Sequence, residues 1–104
     1  MTHNVYVVRL DEAVLDQNKF REANPQYKPG KPCVYVRMTG LDPDERFQNH
    51  KAGYKASRIV KQFGLYLMRK KYEQYNPLPY EEACEKEVAL ADDLRRKGYG
   101  VWQH

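Results

Sequence analysis

A glutamate on the apolar face of a helix needs a cation, and this chain has one. Residues 80–97 carry a helical pattern in which, at roughly 100° per residue, Tyr80, Ala83, Cys84, Leu90, Ala91 and Leu94 define one face. Glu87 falls in the middle of that face, whereas Glu81, Glu82, Glu85, Asp92 and Asp93 fall outside it. An ionised carboxylate buried without a partner is costly, so Glu87 calls for a metal ion, an arginine or a proton. A structural ion pair with an arginine from elsewhere in the chain is the plainer alternative to a metal.

A second constellation lies earlier. Arg46 and His50 stand four residues apart on an expected helix and are therefore neighbours on its surface, beside Phe47 and Tyr54. A planar guanidinium suits a phosphate, and an imidazole can donate a proton or a hydrogen bond to one; a solvated helix flank is the alternative. Lys51, Lys55, Arg58 and Lys61 follow with Tyr54 among them, a run able to track a phosphate backbone or simply to keep a surface soluble. Cys33 and Cys84 have no CxxC spacing and no histidine pair nearby, which points to reduced, packed thiols.

These residues must be positioned by a small set of elements. Val5 to Leu10 reads as a first strand, and Asp11 caps an expected helix over Glu12 to about Phe20. The proline-rich stretch from Asn24 to Pro32 breaks the chain before a second strand, Cys33 to Met38. Asp42, Pro43 and Glu45 supply a cap, a first-turn proline and an N3 carboxylate for a helix from Pro43 to about Ala52, with Gly53 as its stop. Ser57 to Phe63 reads as another short helix, Leu65 to Met68 as a third strand, and Asn76 to Pro79 as a break. Tyr80 to Lys97 is the best-defined helix, with Glu81 and Glu82 in its first turn, basic residues in its last and Gly98 beyond. In the tail, Val101 and Trp102 are expected to fold back onto the body.

Composition bounds the function. The 104 residues suit one domain, with 41% hydrophobic content sufficient for one core. Nine tyrosines against three phenylalanines mean that much of the aromatic surface carries a hydroxyl, which needs a partner wherever it is buried. Eighteen Lys and Arg against fourteen Asp and Glu leave a net charge of +4, which favours a polyanionic partner without requiring one. No apolar run approaches a membrane span and the N-terminus lacks signal-peptide order, so the expected location is the cytoplasm, with no membrane partner.

Taken together, these residues resemble, in order and context, the GIY-YIG nuclease superfamily. Asn4-Val5-Tyr6-Val7-Val8 looks like the GIY segment and Tyr35-Val36-Arg37-Met38-Thr39-Gly40 like the YIG segment with its Thr-Gly continuation. Arg46, Phe47, His50, Lys51 and Gly53 fit the helix that follows, and Ala83 to Glu87 fits the small-residue-then-glutamate step of the later helix, so the resemblance covers nearly the whole chain. It implies an α+β domain over residues 1–104, with a small three-stranded sheet flanked by helices, and an endonuclease activity: metal-dependent hydrolysis of a phosphodiester in DNA or RNA. By the same resemblance Glu87 holds one Mg²⁺ or Mn²⁺, and Tyr6 and Tyr35 sit together on the sheet, where one deprotonates or orients the attacking water. Arg46 then holds the scissile phosphate and His50 serves as acid-base or hydrogen-bonding partner. Arg37, Lys51, Lys55 and Arg58 are the accompanying nucleic-acid contacts, and a homo-oligomer would enlarge the surface available to so small a domain.

Three departures stand out. Asn4 occupies the place of the first glycine, Arg37 that of the second motif's glycine, and the connection between the two tyrosine motifs is much longer than the family's usual hairpin. Arg37 is either a further phosphate ligand or a plug that pairs with Glu87 and leaves a non-catalytic binding module.

Overall fold

β1, Thr2–Leu10, is the centre of the molecule because Val5, Tyr6, Val7, Val8 and Leu10 are all buried: a strand this apolar on both faces must be covered on both. In the computed structural model, which describes residues 2–103, it pairs antiparallel along its length with β2, Cys33–Thr39. Its other edge takes β3, Gly64–Leu67, beside Val8 to Leu10, and β4, Leu78–Pro79, beside Thr2 and His3. The last strand, β5, Gly100–Trp102, lies parallel to β2 with Tyr35 opposite Trp102. The order is β3-β1-β2-β5, with β4 on the N-terminal end of β1. This is an α+β fold with a mixed sheet of five strands, where three were expected. The two additional strands have three residues or fewer and one contains a proline, so neither carries a readable alternation.

The helices obey their sequence signals closely. α2, Pro43–Ala52, opens with the Asp42 carboxylate accepting from the Asp44 N–H at 2.8 Å and closes on Gly53, whose φ of 86° is the left-handed conformation that releases the chain. α3, Arg58–Phe63, buries Val60 and Phe63, and α4, Tyr80–Arg96, buries Ala83, Ala91 and Leu94 against β1 and β2. Between β1 and β2 the expected single helix is two pieces. A 3-10 turn over Glu12–Asp16 is followed by α1, Asn18–Glu22, with Gln17 extended between them. Tyr80, counted on the apolar face of α4, is more than half exposed at the helix end, where it meets the His3 ring edge to face. Cys33 is buried, and the Cys84 thiol packs 3.7 Å from the Met38 sulfur.

Two asparagines complete the sheet. The Val5 N–H donates to Asn76 Oδ1 at 2.9 Å and Asn76 Nδ2 donates back to the Val5 carbonyl at 2.8 Å, filling the interval between β3 and β4. On the far side, buried Asn24 does the same to β5, accepting from the Val101 N–H at 2.7 Å and donating to its carbonyl at 3.1 Å. Among the described residues no helix is long and apolar enough to cross a membrane.

Candidate active site

The antiparallel register pairs Tyr6 with Arg37 and Val8 with Tyr35, which puts Tyr6, Tyr35 and Arg37 on one face of adjacent strands. The tyrosine ring centroids lie 6.1 Å apart. α2 then lays His50 against both, 5.6 Å from the Tyr35 ring and 6.2 Å from that of Tyr6. His50 is wholly buried, and each of its nitrogens is engaged: Nδ1 accepts from the Ser57 backbone N–H at 3.0 Å, and Nε2 lies 2.9 Å from the Tyr6 hydroxyl. An acceptor Nδ1 leaves the proton on Nε2, so the neutral ring donates to the Tyr6 oxygen and fixes where the Tyr6 hydroxyl points. Tyr35 lies close enough to the Tyr6 hydroxyl and to the Ser57 side chain for each to act on its phenol.

Electrostatics follow from this burial. Burial, reinforced by the neighbouring cation Arg46, depresses the His50 pKa from 6.5 to about 4, which keeps the ring neutral at pH 7. Burial raises the pKa of Tyr6, and the Tyr35 beside it adds to the rise; Arg46 and Arg37 oppose it without overcoming it. Tyr35 is also raised, chiefly by burial, against the same two cations. Both phenols thus stay protonated in the free protein, suited to orienting a water or donating to an oxyanion; deprotonating a water would need a lower pKa.

The cations around the pair are held differently. Arg46 donates to the Lys55 carbonyl at 2.8 Å and reaches the Tyr54 carbonyl at 3.5 Å, which ties down the loop where Lys55 takes a φ of 45°. A guanidinium has five N–H donors, so this clamp still leaves some for a phosphate. Lys51, expected among the nucleic-acid contacts, spends its ammonium on the Lys61 and Gly64 carbonyls at 3.0 and 2.9 Å. Lys55 and Arg58 are exposed, Lys55 lying over the exposed Tyr54 ring.

Glu87 turns inward from α4, with 13% of its side chain exposed. Oε2 accepts from the Gln103 amide at 3.2 Å, and Arg37 Nε stands 4.0 Å from Oε1. That pair is loose. Charge-assisted N–H···O bonds run near 2.7–2.9 Å, and the Arg37 side chain is 45% exposed and donates instead to the Gln103 carbonyl at 2.9 Å. The fold therefore gathers Tyr6, Tyr35, His50, Arg46 and Arg37, and Glu87 joins them through Arg37.

Ser57 and Gln103 belong to the same array, and neither was singled out from sequence. Ser57 had the signal of a helix-starting serine, but its partner lies across a turn; Gln103 is placed only by the parallel pairing of β5. No protein-family model, curated protein or solved structure matches this chain.

Proposed function

We propose that this chain is a GIY-YIG-type hydrolase that cleaves phosphodiesters in nucleic acid, with Glu87 as the ligand of one Mg²⁺ or Mn²⁺. The observation that carries the proposal is a largely buried carboxylate whose polar partners among the described residues are one amide and one loosely placed guanidinium, the latter linking it to a paired-tyrosine array. Such a carboxylate is short of positive charge. No group of three or more His, Cys, Asp or Glu among the described residues could hold a metal. The donor set suits a hard cation that completes its shell with water and phosphate oxygens, as magnesium does, and not a zinc cage. When bound, such an ion stabilises charge on the leaving oxygen.

The chain's own residues supply the rest. The Tyr35 hydroxyl, steadied by Tyr6 and Ser57, orients the attacking water. Arg46, with Arg37 swung away from Glu87, neutralises the non-bridging phosphate oxygens. His50 is a positioning residue that holds Tyr6, leaving the Tyr6 hydroxyl proton directed at Tyr35. Lys55 and Arg58 extend the positive surface along the phosphate backbone.

The position of Arg37 favours one other reading, a binding module in which the guanidinium stands in for the metal. The two separate in a cleavage assay on plasmid DNA and structured RNA with Mn²⁺, using wild type and Glu87→Ala, with folding checked by thermal melting. The proposal expects cleavage by wild type and none by a folded Glu87→Ala. Equal cleavage by the two refutes it; salt-sensitive binding with no cleavage under any divalent metal establishes the binding module instead.

A further inference from the structure

The long connection between β1 and β2, which sets this chain apart from the family it resembles, forms one wall of a cavity of about 600 Å³. That volume falls within the roughly 300–1,000 Å³ of small-molecule sites and leaves room for one nucleotide. The opposite wall is the start of α3, and Trp102 closes one side. Trp102 is half-buried, and its indole stacks on Phe20, at 6.2 Å between centroids and 28° between planes, so the ring is held in a fixed orientation. Ile59 adds a second apolar surface, Lys19 and Arg58 add positive charge, and the Asp16 carboxylate and Gln17 amide bring donor and acceptor atoms.

The cavity adjoins the candidate active site through two residues. Ser57, which lines it, also donates its backbone N–H to His50 Nδ1 and stands beside Tyr35. Trp102 stands opposite Tyr35 in the β2–β5 ladder. A fixed aromatic plane, cations on the rim and paired polar groups are what an unstacked base needs: a π-face to lie on and atoms to meet its edge. A duplex would not present its bases here.

We infer that this cavity is a nucleobase subsite, in which a base from a single strand or a locally unpaired region lies against Trp102 while its phosphate reaches the tyrosine pair. The inference rests on the phosphodiester reading above and narrows its substrate to unpaired nucleotides. Lys19 and Arg58 hold the flanking phosphates, and Asp16 and Gln17 contact the base edge.

Trp102 is the sole tryptophan, so its fluorescence reports the subsite directly. With divalent metal chelated to prevent turnover, the full chain is titrated with a short mixed-sequence single strand, as DNA and as RNA, and with an abasic strand of the same length. The expected result is saturable quenching by the base-bearing strand and an affinity for the abasic strand weaker by roughly 5- to 150-fold, the usual worth of one stacked base. Equal affinity for the two strands, or binding without any change in Trp102 emission, overturns the subsite. Because Trp102→Leu also removes packing against Phe20, the exposed pair Gln17→Ala and Arg58→Ala keeps the reporter in place. Gln17→Ala is expected to narrow the gap between base-bearing and abasic strands, and Arg58→Ala to weaken both strands alike. Failure here is distinguishable from failure of the catalytic proposal. A Glu87-dependent nuclease that binds base-bearing and abasic strands equally lacks the subsite but keeps its chemistry, whereas base-dependent quenching without cleavage keeps the subsite alone.

Discussion

His50 makes the fold sensitive to acid in a way that can be worked out in advance. The imidazole is fully buried between Ser57 and Tyr6, and its pKa is about 4 in the native protein against 6.5 for the ordinary group. Between those values the unfolded chain binds a proton that the folded chain refuses, so stability falls as pH falls. The contribution is fully present above the unfolded value and is lost progressively down to the folded one. Each pH unit below the unfolded value costs about 1.36 kcal/mol, so going from about pH 7 to about pH 5 removes about 2 kcal/mol through His50 alone. Urea unfolding at those two pH values, on wild type and on His50→Gln, isolates it, since carboxylates and His3 are common to both proteins. Wild type should lose about 2 kcal/mol more than the variant across the interval, and the His50 ring proton in an NMR titration should keep its neutral resonance position until pH approaches 4. A ring that titrates near 6.5, or equal pH slopes in the two proteins, refutes the buried and doubly engaged imidazole.

Other substitutions test the neighbouring links. Tyr6→Phe removes the acceptor of the His50 Nε2–H and leaves a buried donor unpaired, so it should cost about 1–3 kcal/mol by urea unfolding; the double variant with His50→Gln should cost less than the sum, because the two share one hydrogen bond. Arg37→Ala dissolves a loose, half-exposed ion pair, so stability should move by less than about 1 kcal/mol. The Mn²⁺ affinity of Glu87, by calorimetry, should rise by up to roughly fivefold, the equivalent of that same energy; a fall would identify Arg37 as part of the ion's site.

How much of this was legible in the sequence depended on whether a residue's partner was local. α2 and α4 were readable nearly to the residue because caps, first-turn acids and stop glycines act within one turn of themselves. The inward direction of Glu87 followed from helical spacing for the same reason. β4 and β5 were not readable, since two or three residues carry no period and their pairing depends on where distant chain passes. The division of labour between Arg46 and Lys51 was hidden for another reason. Both are basic residues on one helix and each is held by two backbone carbonyls, yet only Arg46 acts on the charge of the tyrosines, and only the path of the chain from Tyr54 to Gly64 distinguishes them. His50 was a candidate by type and spacing, but the partners of its two nitrogens, the Ser57 N–H and the Tyr6 hydroxyl, lie on other elements and were not readable.

Asn76 and Asn24 give the sheet a property that no strand assignment shows. A carboxamide can present an N–H and its oxygen side by side, the same pair a backbone residue presents, and each asparagine here turns such a pair toward a single strand residue. Val5 and Val101 are thus closed to any incoming strand as though a neighbour were already present. With β3 and β4 flanking Asn76, the long apolar β1 has no accessible stretch on that side for another chain to pair with. One amide thus shields the central strand and the other the outer strand β5, each standing where a strand neighbour would be.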